Sequence, residues 1–209
     1  MNRKILYVRS GPYKLNLSKY NSQEVGLAKA LTDLDCSVDI LYYSDKNYDQ
    51  IINYNDRTIK ILWRKGIKIF RTGIYPSLLN QAYLKQYDAI ICSEYSQLMS
   101  IILSKLHNNV YVYNGIYYNL FKLPFIEKFY DWLFVPLINK NVKGIFCKTR
   151  KAKKYLENKG INNLQVIGVG LDPKPVPKQM DKQTKCLLRK MDNHHNILFV
   201  GQLTKRKKS

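Results

Sequence analysis

Acidic side chains are scarce: fifteen Asp and Glu stand against thirty-five Lys and Arg, a formal net charge of +20 over 209 residues. That imbalance favours an anionic partner: a phosphorylated ligand, an acidic membrane face or nucleic acid. Long apolar runs are also missing. The longest, Trp132 to Ile138, has seven residues and includes Pro136, whereas a membrane-spanning helix needs about 18. The apolar stretch after Met1-Asn2-Arg3-Lys4 has only four residues, Ile5 to Val8, short for a signal-peptide core. Neither an integral membrane protein nor a secreted one is expected. The four cysteines, Cys36, Cys92, Cys147 and Cys186, form no C-x-x-C pair and no metal-ligand spacing. Cys92 and Cys147 lie in apolar strand-like runs, where a thiol behaves as a small hydrophobe. A reducing cytosol therefore fits better than a disulfide or zinc framework. Gly168-Val-Gly170 is not part of a G-x-G-x-x-G fingerprint, and no G-x-x-x-x-G-K-[ST] loop occurs. Nicotinamide chemistry and P-loop phosphoryl transfer lose their usual motifs.

What is present is a core-forming composition, 45% hydrophobic and 24% charged, unlike a disordered tail. The charge is unevenly placed. Residues 140–209 hold eighteen basic and four acidic residues, net +14, while residues 1–139 hold seventeen and eleven, net +6.

Short β-branched and aromatic runs alternate with helical patterns. Strands are expected at Lys4–Val8, Val38–Tyr43, Ala89–Cys92, Val110–Tyr113, Gly144–Cys147 and Leu164–Val169, each bounded by turn residues. Ile59–Trp63 and Ile67–Phe70 read as a hairpin around Lys65-Gly66. Helices are expected at Asn21–Asp35, with Asn21 or Ser22 as cap, at Pro76–Gln86, Gln97–His107, Pro124–Asn139 and Arg150–Lys159, from their apolar spacing and capping residues. In the Pro124–Asn139 helix, Phe125, Ile126, Phe129, Trp132 and Leu133 are expected to face inward. This alternation predicts an α/β fold with an open, mostly parallel, Rossmann-like sheet flanked by helices. Ligands of such sheets bind beyond the carboxyl ends of strands, which directs attention to the loops after Val8, Cys92, Tyr113 and Cys147.

The character changes after Gly170. Asp172-Pro-Lys-Pro-Val-Pro-Lys178 reads as a stiff extended connector, and Asn196-Ile-Leu-Phe-Val200 as a fresh first strand. The expected organisation is a domain at 1–170, a linker at 171–195 and the opening strand of a truncated second domain at 196–209.

Taken in order, these features resemble the N-terminal half of a GT-B glycosyltransferase of the retaining family 4 type. The opening strand, the glycine loop and Gly26-Leu-Ala-Lys-Ala-Leu31, followed by Val38-Asp-Ile-Leu41, resemble the family's first β-α-β unit. Tyr87-Asp-Ala-Ile-Ile-Cys92 resembles its D-x-I strand, and Gly144-Ile-Phe-Cys-Lys-Thr149 with Lys153-Lys-Tyr-Leu156 and Gly160 its last crossover. Val166-Ile-Gly-Val-Gly-Leu-Asp172 is similar to the interdomain segment, and Ile197-Leu-Phe-Val-Gly-Gln-Leu-Thr-Lys-Arg-Lys207 to the start of the nucleotide-sugar domain.

The resemblance implies transfer of a sugar from a nucleotide-sugar donor to a glycan or lipid-linked acceptor, in cell-surface polysaccharide or glycolipid synthesis. It implies no metal and no cofactor beyond that co-substrate, and a cytoplasmic protein, peripheral on the membrane's inner face. Lys207 matches the lysine that such enzymes place on the donor diphosphate. Gln202 stands where the family has an arginine, which removes a bidentate phosphate donor. Asn114 stands where the family commonly has a histidine near the reacting sugar.

Such a transfer needs a stabilised diphosphate leaving group, a task for loop amides and fixed cations. Ser10 and Gly11, in the loop after the first strand, either offer such amides or form an ordinary strand-to-helix turn. Glu94 is placed to orient or deprotonate an acceptor hydroxyl, or else is a solvated loop carboxylate. Asn114-Gly115 and the tyrosines Tyr117 and Tyr118, with Tyr95, offer amide, phenol and stacking groups to a sugar, or half-bury in loops. The apolar Leu123–Leu137 helix is core, an acceptor groove or a membrane-facing surface. Lys148, Arg150, Lys151, Lys153 and Lys154 form a basic cluster, either solvated or suited to docking on anionic lipid. Two other readings stand beside this one. A nucleic-acid binder would use the basic tail on phosphates and tyrosines for stacking, but no helix-turn-helix, zinc-finger or RNP pattern accompanies it. A catalytically inactive remnant or scaffold is the other.

Overall fold

The computed structural model describes residues 3–17, 22–69, 71–121, 123–170 and 181–191. Eight strands form one sheet, and all neighbours pair parallel except at one edge. Strand β1 (Arg3–Val8) lies at its centre, paired on one side with β2 (Cys36–Ser44) and on the other with β7 (Ala89–Ser93). Beyond β2 come β4 (Arg57–Lys65) and then β3 (Tyr48–Tyr54). Beyond β7 come β8 (Val110–Asn114), β9 (Gly144–Cys147) and β10 (Leu164–Val166). The chain thus builds outward from β1 in one direction, then returns to its other side at β7. That reversal opens a crevice where the loops after β1 and β7 part.

Side chains alternate across the sheet as strand geometry requires. Leu6 and Val8 enter one buried cluster, while Tyr7 enters the other. Helix α1 (Gln23–Asp33) covers the Tyr7 side through Ala28. Its start is capped by Ser22, whose side chain accepts from the Val25 amide, supplying a partner for an orphan N–H. The opposite side carries α3 (Leu98–Leu106), α4 (Pro124–Asn141) and α5 (Arg150–Glu157).

Three local expectations are corrected. The strand Ile59–Trp63 does not turn back on Ile67–Phe70. It lies within β4, whose hairpin partner is β3, joined by Asn55 and Asp56 at φ 45° and 58°. Two adjacent left-handed residues of these types make the tight turn whose twist suits a hairpin. The run after Gly66 forms its own small hairpin, β5 (Ile67–Ile69) with β6 (Thr72–Ile74), while Phe70 lies outside the described residues. Gly66 serves a close approach: a Cβ there would stand 2.8 Å from the ring of buried Tyr75.

The helix expected from Pro76 to Gln86 is broken into a 3-10 turn, Pro76–Leu78, and a short α2 (Gln81–Leu84). Asn80 breaks it by accepting from the amides of Ala82 and Tyr83, the local competition that favours asparagine at caps.

The third correction is the facing of α4. Phe125, Ile126, Phe129, Trp132 and Leu133 point outward, and Tyr130, Val135 and Ile138 point into the core. The helix is apolar nearly all round, so periodicity alone could not choose a face. Charge chose it. Lys159 Nζ lies 3.0 Å from Glu127 and 2.5 Å from Asp131, and the Tyr155 hydroxyl donates to Glu127. Holding both carboxylates turns the helix about half a turn from the expected orientation.

Residues 173–209 form a separate unit, in which the described residues make α6 (Lys182–Met191), a helix without buried side chains. The expected extended connector Asp172–Lys178 and the expected strand Asn196–Val200 lie outside the described residues.

The orientation of α4 sets two stabilities apart. Tyr130 is 7% exposed and Phe129 60%. Tyr130→Ala is expected to lower unfolding free energy by about 3–5 kcal/mol, and Phe129→Ala by less than about 0.5 kcal/mol. Urea unfolding of both variants reads the difference; equal losses would place the helix the other way round.

Candidate functional site

A cleft of about 310 Å³ lies at the carboxyl ends of the central strands, within the size range of small-ligand sites. Its walls come from four places. Arg9 and Gly11 follow β1, Gln23 and Glu24 open α1, Ser93, Glu94 and Gln97 follow β7, and Lys148 follows β9. Tyr7, Tyr13, Arg71, Ile116 and Leu120 complete the lining.

The loop after β1 is fixed from both sides. The Ser10 amide donates to Ser93 Oγ at 3.0 Å, and the Ser10 carbonyl accepts from Gly73 at 2.7 Å. The Tyr75 hydroxyl donates to the Arg9 carbonyl at 3.2 Å. The β5–β6 hairpin therefore holds this loop against β7. The Ser10 amide is consequently committed within the fold, whereas Gly11 lines the cleft.

Glu94 is the most constrained residue of the site. Its φ is +63°, in the left-handed region that costs a non-glycine residue about 1–3 kcal/mol at such special positions. One carboxylate oxygen, Oε2, accepts from the amides of Gly115 and Ile116 at 3.0 and 3.3 Å. The other, Oε1, faces Lys148 Nζ at 4.0 Å. Burial pushes the Glu94 carboxyl above its ordinary range, against the opposing pull of Lys148 and the two amides, with the charge of Glu24 adding to the rise. Lys148 reaches this point by laying its stem across Gly115, where a Cβ would meet its Cδ at 2.7 Å. Its ammonium also sits 4.7 Å from the Tyr113 ring centroid, a cation–π contact.

A second carboxylate stands at the mouth of α1. Glu24 lies 3.8 Å from Arg9 Nε and is bonded to Ser22, whose hydroxyl also meets that of Tyr42 at 2.5 Å. Among the described residues, two polar atoms of side chains that line the cleft have no partner. Arg9 Nη1 is buried without an acceptor, and Gln97 Oε1 is buried without a donor. Gln97 is 8% exposed and occupies the N-cap position of α3 without making a capping bond. Unsatisfied groups of this kind cost about 1–3 kcal/mol each, a deficit that a hydroxyl-bearing ligand offsets by both donating and accepting.

The expected site residues separate into those the fold gathers and those it does not. Glu94, Gly11 and Lys148 line the cleft. Gly115 stands beside it as the amide donor to Glu94. Asn114 is fully buried; its amide accepts from the Tyr95 N–H at 3.3 Å and donates to the Ile116 carbonyl at 3.0 Å, so it clamps the loops behind the wall. Tyr95 is core, edge-on to Tyr130 and Tyr155. Tyr117 and Tyr118 are exposed and pack on each other at 5.3 Å. Lys148 is drawn away from the basic cluster into the cleft, and Lys153 pairs with Glu157 at 3.6 Å, while Arg150, Lys151 and Lys154 are exposed. Gln202 and Lys207 lie outside the described residues.

As site residues, sequence reasoning passed over the Arg9 side chain, Glu24, Arg71 and Gln97. Gln97 did leave a signal, since glutamine at a helix start where Ser, Thr or Asp would cap points to another task. Among the described residues no group of three or more His, Cys, Asp or Glu side chains is placed to hold a metal ion.

The fold and its crevice define an open, mostly parallel α/β domain. The chain is similar in structure to HepE of Anabaena, solved in complex with UDP and glucose, with a TM-score of 0.53 at 14% identity over 91% of this chain. The chain spans about half of HepE, covering 50% of its length. No protein-family model matches the sequence, and no curated protein sequence matches it.

Ionisation of Glu94 has a measurable sign. A carboxyl whose folded pKa is raised costs stability above that pKa, and the cost vanishes below its unfolded value. The unfolding free energy of the native chain relative to Glu94→Gln is therefore expected to grow as pH falls from 7 towards 4. Urea titrations of both proteins across that range check it, and a flat difference would contradict the raised carboxyl.

Proposed function

We propose that this chain is the acceptor-side half of a glycosyltransferase that uses a nucleotide-sugar donor, and that the cleft at the β1–β7 crevice binds the acceptor. One observation carries the reading: a buried acceptor atom, Gln97 Oε1, and a buried donor atom, Arg9 Nη1, stand unpartnered beside the same cleft as Glu94. Sugar hydroxyls both donate and accept, the two functions these atoms lack. The likeness to HepE, solved with UDP and glucose, supports the same class of ligand.

In this reading Glu94 Oε1 receives the hydrogen bond of the acceptor hydroxyl, because Oε2 is already saturated by two amides. The acceptor oxygen forms the new bond to the sugar's anomeric carbon as the bond to the departing diphosphate breaks. The hydroxyl proton passes to Glu94 or to the leaving phosphate. A carboxyl held above its ordinary range is better matched to taking a proton near neutrality than an exposed one. Lys148 and Arg71 supply positive charge to the same cleft. We assign a donor diphosphate contact to Gly11, and the family 4, retaining assignment, polysaccharide or glycolipid synthesis and a cytoplasmic location belong to the same proposal.

Saturation-transfer NMR with mono- and oligosaccharides and with UDP-glucose tests it on the 209-residue chain. Arg9→Ala and Gln97→Ala are each expected to weaken saccharide binding about tenfold or more, since each removes a bond from a buried site. Saccharides that fail to bind the native chain at millimolar concentration, or oligonucleotides that bind the cleft in their place, would overturn the proposal.

A further inference from the structure

The outward face of α4 has no use in the core and none in the cleft. It presents Phe125, Ile126, Phe129, Trp132 and Leu133, with Trp132 72% exposed. Pro136 is exposed on the same face, since residues three and four apart share one side of a helix. Scattered exposed apolar residues need no explanation, but a contiguous aromatic stripe marks an interaction surface.

The charges show what kind of surface. Both acids of α4, Glu127 and Asp131, are turned inward and held by Lys159. The outward charges of α4 are Lys128 and Lys140, both exposed. On the same side of the sheet, α5 adds exposed Arg150, Lys151 and Lys154, while its exposed Glu157 is paired with Lys153. The face is therefore apolar and aromatic at its centre and cationic around it. Phe and Trp side chains with basic neighbours suit the boundary between lipid headgroups and acyl chains, and lysines near an anionic leaflet are attracted to it. A second copy of the chain is a poorer occupant, because a formal charge of +20 opposes self-association. Among the described residues no helix is long and apolar enough to cross a membrane, so the contact lies along the surface.

We propose that the outward face of α4 docks this protein on an anionic lipid bilayer, with Phe125, Phe129 and Trp132 entering the interface and Lys128 and Lys140 meeting the headgroups. The inference stands on α4 and does not depend on sugar binding in the cleft.

The chain carries its own reporter. It has two tryptophans, and Trp63 is buried and donates to Gln50 Oε1, so a change in emission on adding vesicles reads Trp132. Vesicles of phosphatidylcholine with 30% phosphatidylglycerol, added at about 0.1 M salt, are expected to sediment the protein and shift its emission to the blue. Pure phosphatidylcholine should bind at least about tenfold more weakly, as the electrostatic attraction is absent. Phe125→Ser with Phe129→Ser should reduce binding about tenfold or more while leaving the thermal unfolding midpoint unchanged, as both are exposed. Lys128→Glu with Lys140→Glu should weaken binding to the anionic vesicles alone. Sedimentation without an emission shift, or binding indifferent to the phenylalanine substitutions, would overturn the proposal. So would a concentration-dependent shift without vesicles, accompanied by dimer formation in analytical ultracentrifugation.

Discussion

The candidate site depends on one half-buried carboxylate. Glu94 follows β7 in a left-handed conformation and accepts two amide hydrogen bonds from the loop after β8. Those bonds tie two neighbouring strand ends together and aim the remaining oxygen at Lys148 from a third. The arrangement offsets backbone strain and the cost of burying a charge with charge-assisted bonds. With Asn114, which accepts from the Tyr95 and Lys148 amides, it anchors the loops after β7, β8 and β9 in common. Around it, Asn114 clamps from behind and the β5–β6 hairpin holds the β1 loop in front.

A similar economy orders the outer layer. Lys159 gathers two carboxylates of α4, and Tyr155 joins them. The ion cluster lies on the side of the helix that also buries Tyr130, Val135 and Ile138, and the aromatic stripe on the side left outside. A hydrophobic helix with no preferred side acquires one from two acids four residues apart.

The alternation of strands and helices was legible because parallel strands buried on both sides read as short β-branched runs between helical periods. Five of the strands expected from sequence stand within two residues of their limits, at β1, β2, β7, β8 and β9, while β10 ends at Val166, three residues short. The β4 hairpin was misassigned because Lys65-Gly66 looks like a turn, whereas Gly66 is small for the sake of Tyr75. Nothing near it in sequence announces that ring. Among site residues Glu94 could be found from its position just past a strand end. Asn114 and Tyr95 share that position, and their inward commitment follows from partners on other elements.

By itself, then, the sequence determined the layer architecture, the strand ends at which to look, and an excess of positive charge. Those properties arise from neighbours within a few residues, from backbone periodicity and from composition. Tertiary structure decided which polar groups go unpaired beside the cleft, which lysine leaves the basic cluster for Glu94, and which side of α4 meets solvent. Each of these is a competition for partners between residues distant along the chain. Desolvation makes an unmet hydrogen bond or charge expensive only once folding has removed the water around it.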